Sequence, residues 1–343
     1  MTRHALGGAV AAAVTLLAAQ GAAAYDQIVV IGDSYSDTGN AHIAIPGSSP
    51  TPPYYQGRFS NGPNYVDTLA QSLGVSSTAS LLGGTNYAYA SANTGPAQPS
   101  PLGTAVVPPL TAQLSTYLTS VGGMANPNAL YVVEGGTNDL FGGLLTLKGG
   151  SGANAASTLA SVAAAGAGNV ASIESQLVAA GARNLLTVNL PDLALLPIAQ
   201  ASGFSGLPNE AALASAAAKT FNADLLADLG AAPGGVARSL LDLNALTDAI
   251  AASPSTYGFS DVTTACFDGN GLAPAPVVCA PGTFNDHLFW DTVHFSGRAN
   301  DVFAAAALQA LPAQVPAPGP SAALAALAVT LLLRGRWQRR EAS

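Results

Sequence analysis

Charge is the scarcest feature of this chain: 11 Lys+Arg and 19 Asp+Glu stand among 343 residues, a net charge of −8. There is no basic patch, and an acidic surface repels phosphate backbones, so nucleic acid is excluded as a partner. Sulfur and imidazole are as sparse, with two Cys and four His. His4 lies near the start, and His42, His287 and His294 show no ligand spacing with the cysteines, so no metal site is expected. Cys266 and Cys279 sit close together in a Gly/Pro-rich stretch. In an exported chain such a pair is most simply a disulfide that pins a loop.

Long apolar runs are confined to the two ends. Residues 1–24 combine Arg3, an apolar run from Ala5 to Ala19 and the small residues Ala22 to Ala24. That is the form of a secretory signal peptide. Residues 315–343 open with VPAPGP, continue as an apolar run from Ser321 to Leu333, and close on Arg334, Arg336, Arg339 and Arg340. Arginines past an apolar helix hold that end on the cytoplasmic side. A plain membrane anchor is one reading. Without both ends the body, residues 25–314, keeps six basic and 18 acidic residues, a net of −12. No repeat or internal boundary divides it, so one domain is expected.

What is abundant is apolar content, 49% of the chain, arranged as short buried runs that alternate with helical periods. Ile28 to Ile31, Ala129 to Glu134, Arg183 to Leu190 and Ser239 to Leu243 read as buried strands. Asn64 to Leu73, Leu110 to Leu118, Ala155 to Ala180, Asn209 to Leu229 and Ser296 to Leu311 read as helices, with Gly74 and Gly181 as C-caps and Ser296 as an N-cap. Thr85 to Ala90 suggests one more short strand. Ala41 to Pro63 and Ala252 to Phe284 read as loops. Strands alternating with helices imply βαβ units, a parallel sheet and an α/β/α sandwich.

Two strands end in glycine followed by residues that carry chemistry. The first runs into Gly32-Asp33-Ser34, a turn to which Gly32 lends backbone freedom. The second runs into Gly135-Gly136-Thr137-Asn138. Parallel strands place such tips on one rim, where open α/β sheets bind ligands. Near the last helix, Asp291 and His294 lie three apart, a spacing that lets a carboxylate fix an imidazole. A serine, a base and an orienting acid suit acyl transfer. Asp33 and Asp37 read as structural acceptors holding the turn and loop, and Asp139 as either structural or site-shaping, with the structural reading preferred.

The blocks GDSYSDTGN, NYAYASANTG, GGTNDL and FWDTVHFS occur in the order of the sequence blocks of the GDSL, or SGNH, hydrolase family, and the chain resembles that family over nearly all of 25–314. The stretch ARNLLTVNLPDLALLP resembles its plant-type branch. No Gly-x-Ser-x-Gly surrounds Ser34, so the α/β-hydrolase elbow is a poor match. The resemblance implies a flavodoxin-like sheet of five largely parallel strands and a cofactor-free ester hydrolase acting on small-molecule or lipid esters. It implies Ser34 as nucleophile, His294 as base and Asp291 as its orienting acid. It implies an oxyanion hole of the Ser34 amide, a block II amide and the Asn138 side chain. The family usually has Gly where this chain has Ser91, which puts a Cβ and a φ restriction at that amide. A decayed site serving as a surface-binding module, an acyltransferase and a polysaccharide deacetylase are the alternatives. The C-terminal residues resemble PEP-CTERM sorting tails, with Ala317 where an acidic residue often stands. That implies transient membrane association, processing by an exosortase and delivery to the envelope or exterior of a Gram-negative cell.

Overall fold

Gln27–Ile31 forms β1, and its apolar residues are buried on both faces, as central parallel strands require. In the computed structural model, which describes residues 25–44, 50–95, 107–269 and 276–312, β1 pairs in parallel with β2 (Ala129–Glu134). The sheet continues through β3 (Asn184–Val188) to β4 (Ala237–Leu241), in the order β1-β2-β3-β4 and parallel throughout. The expected signal peptide and sorting tail lie outside the described residues.

Nine α-helices are described. They are α1 (Asn40–Ala44), α2 (Tyr65–Leu73), α3 (Leu110–Ser120), α4 (Thr137–Thr146), α5 (Ala155–Ala180), α6 (Pro197–Gln200), α7 (Glu210–Leu229), α8 (Leu243–Ala252) and α9 (Gly297–Ala310). α5 packs against α3, α4 and α7, and touches β2; α2 packs against α9, which touches β4. The result is the α/β/α arrangement. Asn64 caps α2 with a reciprocal box to Asp67. Gly74 and Gly181 end α2 and α5 in the left-handed region, at φ +71° and +119°. α5 and α7 meet closely because a Cβ on Gly166 would stand 3.0 Å from the Phe221 ring.

The sheet has four regular strands rather than five. Residues 85–89 run beside the free edge of β1, with Val30 N–H donating to Thr85 O (3.0 Å) and Tyr87 N–H to Val30 O (2.8 Å). Only one bridge, Val30 to Asn86, is regular. The Asn86 carbonyl turns to the Ser80 N–H and the Asn40 amide instead of extending a ladder. With this segment counted, the order is the flavodoxin-like 2-1-3-4-5, whose switch point falls between β1 and β2.

Several elements depart from the sequence reading. The stretch 41–63, read as loop, begins in α1. α4 starts directly after β2, and α8 fills 243–252. The stretch 252–284, also read as loop, contains β5 (Asp261–Ala265), which pairs in parallel with β6 (His287–Phe289) in a small second sheet. β6 delivers the segment that carries Asp291 and His294.

Candidate active site

Ser34 follows β1 by three residues, in a turn held from several sides. Gln113 of α3 accepts from Gly32 N–H (3.0 Å) and donates to Gly32 O (3.0 Å). Glu134, at the end of β2, accepts from Asp33 N–H (3.1 Å) and Ser36 Oγ–H (2.9 Å). The need for Gly32 is space, not φ. A Cβ there would stand 3.0 Å from both the Glu134 carboxylate and the Ser36 Cβ, which corrects the backbone-freedom reading.

A tight turn from β6 to α9 presents His294. Phe289 bridges Phe295, and Trp290 N–H donates to His294 O (2.8 Å). The buried Asp291 carboxylate accepts from Val293 N–H (2.7 Å) and His294 N–H (2.6 Å) on Oδ1. Its Oδ2 lies 2.8 Å from His294 Nδ1. His294 Nε2 lies 2.9 Å from Ser34 Oγ, across 260 residues of chain. Phe59 lies tilted 4.9 Å from the imidazole, and Tyr35 meets it edge-on at 5.9 Å. Hydroxyl, imidazole and carboxylate therefore stand in line. That arrangement lets Nε2 accept the serine proton while Nδ1–H donates to the carboxylate.

Ser34 and Ser91 both line the cleft, and neither backbone amide has a protein acceptor among the described residues. Ser91 sits at φ +63°, a left-handed conformation that suits glycine. The loop is held there by Asp37, which accepts Ala90 N–H (2.9 Å), and by Asp139, which accepts Thr94 N–H (2.9 Å) and Oγ1–H (2.8 Å). Asn138 lies in the first turn of α4 and lines the same cleft. Its Nδ2 donates to Asp33 Oδ2 and to Ala92 O, both at 3.1 Å. To face an oxyanion, it must share or release one of these hydrogens.

Buried acids surround the turn. Burial, reinforced by Glu134, holds the Asp33 carboxyl well above its ordinary range, and burial raises Glu134 too. Burial likewise pushes Asp37 up to about 6, against four backbone N–H bonds that pull it down. Sequence reasoning missed Gln113, Glu134, Phe59 and Tyr54. A lone Glu closing the apolar run ALYVV was the one signal, because a buried carboxylate needs partners.

Cys266 and Cys279 are joined in a disulfide. Space brings His287 within 4.8 Å of them, although no sequence spacing does. A metal ligand must be a thiolate, and both sulfurs are engaged with each other. The cleft beside Ser34 has a volume of about 700 Å³. Beyond the polar groups its walls are apolar, including Phe141, Leu145, Val162, Ile198 and Phe204. Phe141 and Phe204 stack at 4.2 Å.

The family model for GDSL-like lipase/acylhydrolase matches residues 28–307. A phosphatidylcholine-sterol acyltransferase from Aeromonas hydrophila is 48% identical over 58 residues, 17% of this chain and 17% of that protein. An uncharacterized protein of the trpE-trpG intergenic region of Pseudomonas putida is 32% identical over 187 residues, 52% of this chain and 28% of that protein. The chain thus spans well under a third of either curated relative. Among solved structures, an extracellular lipase from Streptomyces rimosus shares 18% identity at a TM-score of 0.43, covering 83% of this chain and 99% of that one. A phospholipase A1 from Streptomyces albidoflavus shares 17% at 0.41, covering 84% and 100%. With the family's sequence model spanning the body of the sequence, the chain belongs to the GDSL-like lipase/acylhydrolase family.

Proposed function

We propose that this protein hydrolyses carboxylic esters, lipid esters among them, through an acyl-Ser34 intermediate. The observation that carries the reading is the relay of Ser34 Oγ, His294 and Asp291 at 2.9 and 2.8 Å. Ser34 Oγ bonds to the ester carbonyl carbon as its proton passes to His294 Nε2. The carbonyl oxygen becomes an oxyanion facing the Ser34 and Ser91 amides, with Asn138 as a third donor. A positioned donor of this kind contributes roughly 3 kcal/mol to the transition state. The carbon–oxygen bond to the alcohol then breaks, and the alcohol leaves with the His294 proton. Water gives a proton to His294, attacks the acyl carbon and releases the acid, and Ser34 recovers its hydrogen. Asp291 stabilises the imidazolium in both halves. The apolar cleft suits an acyl chain rather than a sugar, because apolar walls favour burial of methylenes.

The test is covalent labelling by a fluorophosphonate, together with turnover of p-nitrophenyl esters from acetyl to palmitoyl. Labelling at Ser34 is expected, and Ser34→Ala should lose on the order of 10⁴-fold or more in kcat/KM. A binding module with a decayed site predicts no labelling. A second reading, acyl transfer to an alcohol, is favoured by the 48% identity to the Aeromonas acyltransferase over 58 residues. Product analysis with and without a sterol acceptor separates the two. The reading of the ends as signal peptide and sorting tail, the plant-type branch, and export to the cell envelope belong to the same proposal. The disulfide supports export, since such bonds persist in oxidising compartments.

A further inference from the structure

Tyr54 comes from the stretch after α1, 237 residues before Asp291, and its hydroxyl donates to Asp291 Oδ2 at 2.6 Å. The same oxygen faces His294 Nδ1. The Tyr54 ring is buried in a small cluster with Cys266, Phe267 and Trp290, apart from the main core. It stands edge-on to Phe267 at 5.2 Å and to Trp290 at 6.0 Å. Trp290 is the residue before Asp291, and Phe267 N–H donates to Trp290 O (2.7 Å). The disulfide closes this cluster from outside, with Cys279 packed against it. Ring and hydroxyl are thus both fixed, and the fixed hydroxyl points at the acid of the relay.

Resting on the serine-relay reading above, we infer that Tyr54 is a positioning residue of that relay: its hydroxyl fixes the direction of the Asp291 carboxylate and takes up part of its charge. Two backbone amides hold Oδ1; Tyr54 is the side chain that shares Oδ2 with the imidazole. A donor on that oxygen draws carboxylate charge away from the imidazole, so the Asp291–His294 bond is weaker with the Tyr54 hydroxyl in place than without it. Removing the donor leaves Asp291 a stronger acceptor and a freer rotor. The other ionisable groups whose charge reaches the pair are Asp33, which faces His294, and Tyr35, which faces Asp291, both on the β1 turn; Glu134 on β2 meets Asp33 rather than the pair. A change at Tyr54 alters none of them.

Tyr54→Phe keeps the ring and its packing and removes only the hydroxyl. Three readouts apply to the full oxidised chain: the pH profile of fluorophosphonate labelling, kcat and KM for p-nitrophenyl butyrate, and the low-field proton resonance of His294 Nδ1–H. The labelling midpoint is expected to rise by about half a pH unit, kcat to fall about three- to tenfold with KM little changed, and the resonance to move downfield. An unchanged midpoint and resonance overturn the assignment, whatever happens to kcat, because a purely structural ring moves neither. The resonance needs no turnover, so it decides the matter even if the variant is slow. Wild-type protein that takes no label at any pH overturns the serine relay itself. Labelled wild type matched by Tyr54→Phe overturns Tyr54 alone.

Discussion

Ser91 holds φ +63°, and its amide has no protein acceptor among the described residues. A left-handed conformation costs an L-residue about 1–2 kcal/mol, and glycine returns part of that as chain entropy. Ser91→Gly is therefore expected to raise stability by about 0.5–1 kcal/mol in urea melts while ester turnover persists, since the amide is unchanged. A loss of stability would mean that the Ser91 side chain holds the loop. At this scale the sequence exposes whatever sits in a local pattern. Ser34 follows an apolar strand, and Asp291 precedes His294 by three. Tyr54, Gln113 and Glu134 were hidden for the opposite reason. Each acts across 81 to 237 residues of chain, and nothing beside it in sequence hints at its partner.

α4 shows how an element can matter and still escape notice. Its sequence TNDLFGGLLT has two internal glycines, each costing about 1 kcal/mol in a helix. It also follows Gly135 and Gly136, which a Cβ would drive into Leu110 and Phe221. Propensity argues for a loop there, and packing overrides it. The glycines have separate uses. A Cβ on Gly143 would stand 3.0 Å from Leu159 on α5, whereas one on Gly142 would meet no atom within 4 Å. Gly142 lines the cleft. Gly142→Leu should therefore fill cleft volume without disturbing the core, and the ratio of acetyl to palmitoyl ester kcat/KM should rise about tenfold or more. Parallel losses on both esters would place the acyl chain elsewhere. β5 and β6 escaped for want of length. DVTTA and HLF are too short for a period, and their pairing is long-range. β1 to β3 were legible because central parallel strands are continuous apolar runs.

Across the whole molecule, the scarcity of charge meets an unusual concentration of buried acid. Asp33, Asp37, Glu134, Asp139 and Glu174 all sit above their ordinary range, in each case chiefly through burial. A carboxyl whose folded pKa exceeds its unfolded one binds its proton more tightly in the fold. Its contribution to stability is complete below the unfolded pKa and is lost as pH rises through the folded one. For Asp37, raised from 3.8 to about 6, the loss on going from pH 4 to neutrality is about 2 kcal/mol. Asp33 and Glu134 act in the same direction. Asp261, lowered chiefly by bonds from Thr263 and Thr264 that outweigh its desolvation, acts oppositely but only below the ordinary Asp range. Urea midpoints of the oxidised chain should therefore rise from pH 7.5 to pH 5. Asp37→Asn should flatten that rise while weakening the fold at neutral pH, because an amide cannot accept from all of Gly39, Asn40, Ala41 and Ala90. Urea midpoints that fall on acidification would mean these acids are held ionised by the fold and would overturn the account.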